Sequence, residues 1–172
     1  MRKLTLLSIF AFLFIGSIQL SAQDFGVVSI EEVLNNYPPK VSADAELDAM
    51  VKAHQTKMQE KQNAMQAIET EVRTKTEGKS QAEIQAILPE LEAKQQDYMN
   101  KQQELVDYQQ AAAKEVAERE EALMTPIETS IRNSIKKVAD AKGLKYVIEK
   151  SQLLYSNGVD ITAEVRKDLG IN

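Results

Sequence analysis

The chain has 172 residues, 43% hydrophobic and 27% charged, with a formal net charge of −5 and no cysteine. One domain fits that length, and the missing cysteine excludes disulfide staples, so the fold must rest on packing or on oligomerisation. The acidic balance argues against nucleic acid as a partner, since phosphate backbones need basic surface.

The chain opens Met1-Arg2-Lys3, then runs apolar from Leu4 to Ile18 and exits through Gln19-Leu20-Ser21-Ala22-Gln23. A basic start, about fifteen apolar residues and a small-residue exit form a signal peptide, with cleavage expected after Ala22 and an extracytoplasmic destination. An uncleaved membrane anchor needs about 20 apolar residues, more than this run supplies.

Phe25-Gly26-Val27-Val28-Ser29-Ile30 is a short run rich in β-formers. Ser29 and Glu32 have capping-box spacing, so a short helix is expected through Asn36, with Tyr37-Pro38-Pro39 breaking it.

From about Val41 to Ala141 there is almost no strand signal and one glycine, Gly78. Glycine tolerates the left-handed conformation that ends a helix, and Ser80 with Glu83 is a capping box that starts another. The spacing predicts a long antiparallel helical hairpin over residues 41–121 with its tip near 78. An outgoing arm of about 35 residues would be roughly 50 Å long and must project. Val51, Met58, Met65 and Val72 recur every seventh residue, with Leu47, His54, Lys61 and Ile68 as the companion row. In the return arm Ile84, Leu91, Tyr98, Leu105 and Ala112 form one row. The other is Leu88, Gln95, Gln102, Gln109, Val116 and Leu123. The 4-3 alternation predicts a coiled-coil seam softened by polar residues. On this reading Met50, Ile87, Met99, Val106 and Tyr108 lie beside the seam. They either finish the hairpin's own packing or form an adaptable apolar wall for a partner, a use that suits methionine. Pro89 should kink or loosen the return arm near the tip.

Residues 41–121 carry 10 Lys/Arg against 17 Asp/Glu, and residues 122–172 carry 8 against 6. Acidic arms give no support to an anionic lipid partner and read most simply as a solvated helix surface. Past Pro126, Ile127, Ile131, Ile135 and Val138 make a denser stripe that belongs to a body. Gly143 ends the helix. Leu144–Ile148 reads as a strand, Leu153-Leu154-Tyr155 as another, and Asp160 or Thr162 as the N-cap of a terminal helix carrying Val165 and Leu169. The fold expected is α+β and mostly α. Residues 23–40 and 122–172 form a small β-sheet body with Val27, Ile131, Ile135, Val147 and Leu154 as its core. Three strands leave two edges open, which favours closure against further copies.

No phosphate loop, metal-ligand cluster or acid/base pair is evident, so no enzyme activity and no cofactor is assigned. The single histidine, His54, reads as a tolerated polar seam residue. Two function classes remain, a holdase for unfolded chains and a coiled-coil spacer docking a fixed folded partner in the envelope. A soft seam favours the holdase.

The order FGVVSIEEVL, helical hairpin, TPIETSIRNSIKKVADAKGLKYVIE, LLY and DITAEVRKDL resembles the Skp family of periplasmic chaperones, also called OmpH-like proteins. The specific part is Val138-Ala139, Lys142-Gly143, Tyr146-Val147-Ile148, Tyr155 and Asp160-Ile161-Thr162 with Val165 and Leu169. The resemblance implies a homotrimer whose strands share a β-barrel body and whose three tentacles enclose a cavity. It further implies holding of unfolded outer-membrane β-barrel proteins without ATP. The best-known members have basic tentacles, so no lipopolysaccharide site is carried over to these acidic ones.

Overall fold

The computed structural model describes residues 25–171; the expected signal peptide lies outside them. Strand β1, Phe25–Val28, runs between two strands from the far end of the chain, β2 (Tyr146–Glu149) and β3 (Val159–Asp160). Both pairings are parallel, with Phe25 opposite Tyr146 and Gly26 opposite Val159. Parallel strands cannot be joined by a tight turn. The crossover from β1 to β2 is here α1 and the whole helical hairpin, Ser29 through Lys145. A close fit explains the glycine in the central strand, because a Cβ on Gly26 would lie 2.7 Å from Leu144 Cδ1.

Helix α1, Ile30–Leu34, starts where the capping residues put it, and Ser29 Oγ accepts the Glu32 N–H at 3.2 Å. The reciprocal half of the expected box is replaced. The Ser29 N–H donates to Thr162 Oγ1 at 2.9 Å, and the Ile30 N–H to Glu149 Oε2 at 2.9 Å. Local capping has been exchanged for ties to the C-terminal segment.

Helix α2 spans Pro38–Thr76, three residues earlier than the expected start near Val41. Pro38 and Pro39 occupy its first turn, where a missing N–H costs nothing, so they start this helix as well as ending α1. At the tip Gly78 takes φ 74°. Ser80 then caps α3, Gln81–Ala86, with the Glu83 carboxylate accepting the Ser80 N–H at 2.8 Å. Helix α4, Leu88–Lys142, follows a break at Ile87. Pro89 therefore opens α4 and kinks no continuous helix; the loosening sits one turn nearer the tip. Pro126 lies within α4, which runs on through it. Around it the Thr125, Thr129 and Ser130 hydroxyls each donate to a carbonyl four residues back. Gly143, at φ 68°, caps the helix, and α5 spans Thr162–Asp168.

The body core gathers Val28, Val33, Ile127, Ile131, Val138, Leu144, Ile161 and Val165 from both ends of the chain. Val27 and Ile131 are buried, and Ile135 and Val147 pack against the core partly covered. Leu154 lies outside the single chain's own core, its side chain fully exposed. Leu153-Leu154-Tyr155 forms no strand either; a single 3₁₀ turn, Lys150–Gln152, leads into irregular chain. The free edge of β1 is taken by Val159–Asp160 instead, which Asp160 holds by accepting the Thr162 N–H at 2.9 Å. The two candidate caps of α5 thus divide the work: Asp160 receives the helix N–H, and Thr162 reaches Ser29.

Replacing Thr162 by Val leaves the buried Ser29 N–H without its acceptor. An unsatisfied buried donor costs about 1–3 kcal/mol, so Thr162→Val should lower the denaturation midpoint of the body clearly, while Thr162→Ser should keep most of the stability. Urea denaturation of both variants checks this.

Candidate functional site

The hairpin of α2 and α4 has a seam and two broad faces, and the faces differ. The α2 rows are close to those expected, with Ile68 buried and Leu47, His54, Met58, Lys61, Met65 and Val72 partly covered. Val51, at the base, is exposed. In α4 the row Leu91, Tyr98, Leu105 and Ala112 turns inward as expected. Its companion row does so only toward the base, where Val116 and Leu123 are partly covered. Leu88, Gln95, Gln102 and Gln109 are exposed, and Ile87, Lys94, Lys101 and Tyr108, one residue earlier, are partly covered in their place. The choice follows from chemistry. Tyr108 brings an aromatic ring into the seam, and lysines can lay their stems across apolar surface while the ammonium reaches an acid.

Those lysines help define the first face. Lys94 meets Glu71 at 2.6 Å, Lys61 meets Glu104 at 3.2 Å, and Lys75 pairs with Glu90 and, at 3.3 Å, with Glu71. Near the base Arg119 reaches Glu46 at 2.5 Å. On the same side His54 Nδ1 is 2.8 Å from the Tyr108 hydroxyl, and the Lys61 ammonium lies over the Tyr108 ring at 5.8 Å. His54 Nε2 is buried without a hydrogen-bond partner, with the Glu115 carboxylate 3.7 Å away. His54 is thus a seam residue, as its position implied, with a specific partner.

Helical spacing from these contacts places the opposite row of each arm on the second face. It carries Val51, Gln55 and Gln62 from α2, and Leu88, Gln95, Met99, Gln102, Val106 and Gln109 from α4. Met99 is 55% exposed and Val106 40%. Nearer the tip a groove of about 400 Å³ opens on this side, lined by Ile68, Glu69, Val72, Leu91, Lys94, Gln95 and Tyr98. A hydrogen bond to the Glu69 carboxylate holds the Tyr98 hydroxyl's proton more tightly and raises its pKa.

The five candidate wall residues therefore separate. Met99 and Val106 stand free on the uncharged face. Ile87 and Tyr108 are drawn into the seam, and Met50 lies half-covered on the ion-paired side. Leu88 and Val51, assigned to the seam from spacing, join the exposed set. Assigning the α4 companion row by its lysine stems and tyrosine would have found Leu88.

Among the described residues no group of three or more His, Cys, Asp or Glu side chains is placed to hold a metal ion, and no helix is long and apolar enough to cross a membrane.

The sequence profile of the family described as outer membrane protein (OmpH-like) matches residues 24–169. The chain belongs to the OmpH-like family. A crystal structure of an OmpH-like protein from Caulobacter crescentus CB15, titled as an outer membrane chaperone, shares its fold. The TM-score is 0.70 at 16% identity, over 86% of this chain and 83% of that one. No curated protein matches the sequence. The OmpH-like fold is thus the hairpin on a three-stranded body described above, and its surface chemistry is this chain's own.

The ion-paired face of this OmpH-like hairpin should respond to acid. Hydrogen bonds from Lys94 and then Lys75 hold the Glu71 carboxyl below its ordinary pKa. A depressed carboxylate contributes stability that is present above its unfolded pKa and lost as pH falls through its folded one. Helix melting followed by circular dichroism should show the arms loosening as pH falls below the carboxylate range. Glu71→Gln should flatten that acid limb, and an unchanged limb would assign the loss to other groups.

Proposed function

We propose that this chain is an ATP-independent periplasmic holdase that binds unfolded outer-membrane β-barrel proteins between its arms and keeps them from aggregating in transit. The observation that carries this is the two-faced hairpin. One face spends its charge on ties between the arms. The other carries no cross-arm ion pair and presents Met99 and Val106 among uncharged glutamines, with Val51 and Leu88 exposed toward its two ends, near Asp48 and Glu92. An unfolded client has no fixed shape, so several shallow apolar contacts at different heights suit it better than one deep pocket. Family membership and the fold shared with the Caulobacter protein support the same reading. A spacer docking one fixed partner would call for a stiff arm and a defined pocket, and the break at Ile87 with the polar seam argues against both.

The assembly proposed is a homotrimer. The sheet leaves β2 and β3 as open edges, and apolar side chains crowd near them. Phe25 stacks on Tyr146 with ring centroids 5.2 Å apart and both rings substantially exposed, and Leu154 and Tyr155 stand clear of the chain's own core. Exposed apolar surface beside open strand edges marks an interface. Copies closing the sheet would cover these residues and would point the uncharged faces of the arms toward a shared cavity. Light scattering coupled to size exclusion should give three times the chain mass, and a stable monomer at micromolar concentration would overturn this architecture.

Holding is tested by diluting a urea-unfolded outer-membrane β-barrel protein into buffer and following turbidity. Wild type should suppress aggregation. Single Ala substitutions at Val51, Leu88, Met99 or Val106 should be nearly silent, each contact contributing about 1 kcal/mol on the scale of partial side-chain burial. The four together should weaken holding strongly and leave the oligomer intact. Alanine at Lys61 and Glu104, on the other face, should leave holding unchanged. Moderate salt should weaken holding little, because the proposed contacts are not ionic. Collapse of holding in salt with a fully active fourfold variant would show capture to be ionic and refute the reading.

A further inference from the structure

Some glutamines of the arms are engaged locally and others are not. Gln59, Gln96 and Gln103 are engaged along their own helices, donating to Asn63, Asn100 and Asp107 at 2.9, 2.9 and 2.7 Å. Gln55, Gln62, Gln95, Gln102 and Gln109 are exposed, and their amides have no hydrogen-bond partner among the described residues. All five fall on the face without cross-arm ion pairs. They repeat at seven-residue intervals in each arm, and in the antiparallel register set by His54–Tyr108 and Lys61–Glu104, Gln62 lies across from Gln102 and Gln55 from Gln109. Met99 and Val106 stand between the α4 glutamines. The strip carries no charge between Gln55 and Gln62 or between Gln102 and Gln109; Asp48 bounds it toward the base, and toward the tip Gln95 lies beside Glu69 and Lys94.

A free glutamine amide offers one acceptor oxygen and two N–H donors on the same group. A polypeptide backbone carries both complements, an N–H and a C=O on every non-proline residue. Seven residues of helix advance about 10.5 Å, and one three-residue turn of polyproline II, a major conformer of unfolded chains, advances about 9.3 Å. Backbone groups three residues apart then face the same side, so a polypeptide extended in this way along α4 would bring one to each of Gln95, Gln102 and Gln109 in turn, with its side chains passing Met99 and Val106.

We propose that this strip binds the backbone of an extended polypeptide through the glutamine amides, so that recognition is independent of client side chains and of client charge. The inference rests on the holding function proposed above and names what that face reads. A carboxylate or ammonium in the same place would select clients by charge. An amide does not, and it supplies partners to peptide groups that would otherwise be buried unpaired against the apolar residues.

The test sets two ideas against each other in sign. Replacing Gln95, Gln102 and Gln109 together by Met keeps length and helix propensity and enlarges the apolar surface. Capture by greasiness alone predicts tighter binding of the triple variant, whereas backbone reading predicts weaker. The probe is a fluorescently labelled, urea-unfolded outer-membrane β-barrel protein titrated with the full-length protein, helix content being matched by circular dichroism. Binding about tenfold weaker in the triple variant is expected, and equal or tighter binding would overturn the proposal. A second measurement uses uncharged competitor peptides of one sequence, with and without N-methylated backbone amides. The unmethylated peptide should displace the labelled client and the methylated one should not; no difference between them would also overturn it. A wild-type protein that fails to hold the client at all would instead refute the holding function itself, a result separate from loss of the amide effect.

Discussion

A strand from the start of the described chain lies between two strands from its end, and all three are parallel. Parallel pairing forbids a short return, so everything between β1 and β2 must leave the sheet and come back. The sheet is small, and β3 contributes only two residues. What secures it is the meeting of Ser29 with Thr162, of Ile30 with Glu149, and of Val33 with Ile161 and Val165 in the core. These contacts join residues more than a hundred positions apart. They hold the feet of α2 and α4 at a fixed separation, and the arms start from there.

From those feet upward the hairpin depends on its seam. The seam has few large apolar residues, and it closes partly through long polar side chains that lie across it. This puts the charge on one side. Lysines at seam-edge positions draw the acids of the opposite arm onto their own face, so the other face is left with neutral amides and scattered apolar groups. The asymmetry of the surface is thus a by-product of how a weak seam is completed, and it requires no separate pocket.

Much of this was readable from residues alone. The tip at Gly78, the start at Ser80, the end at Gly143 and the buried stripe through Ile127, Ile131 and Val138 follow from local chemistry that tertiary contacts do not override. The misreadings arose where two neighbouring residues could serve equally by spacing. Leu88 or Ile87 can complete a 4-3 pattern beside Leu91, and only the opposite arm decides between them. Leu153-Leu154-Tyr155 has strand composition, yet the partner edge goes to Val159–Asp160, whose claim rests on Asp160 binding the first N–H of α5. The residues read as lying beside the seam divide accordingly: Ile87 and Tyr108 enter it, and Met99 and Val106 are far enough round the helix to be exposed under either assignment.

The crossover connection also separates reach from assembly. Because both feet of the hairpin are set in the body and its tip touches nothing there, the length of the arms is a free dimension. Seven residues added to α2 and seven to α4 at the same level would carry the tip outward by about 10.5 Å and preserve every contact below the insertion, including which side faces which way. An insertion of two residues in one arm would instead rotate its upper half by about 200° and exchange the two surfaces. A lineage of such proteins can therefore lengthen or shorten its arms in whole heptads, matched between the two helices, without redesigning the base.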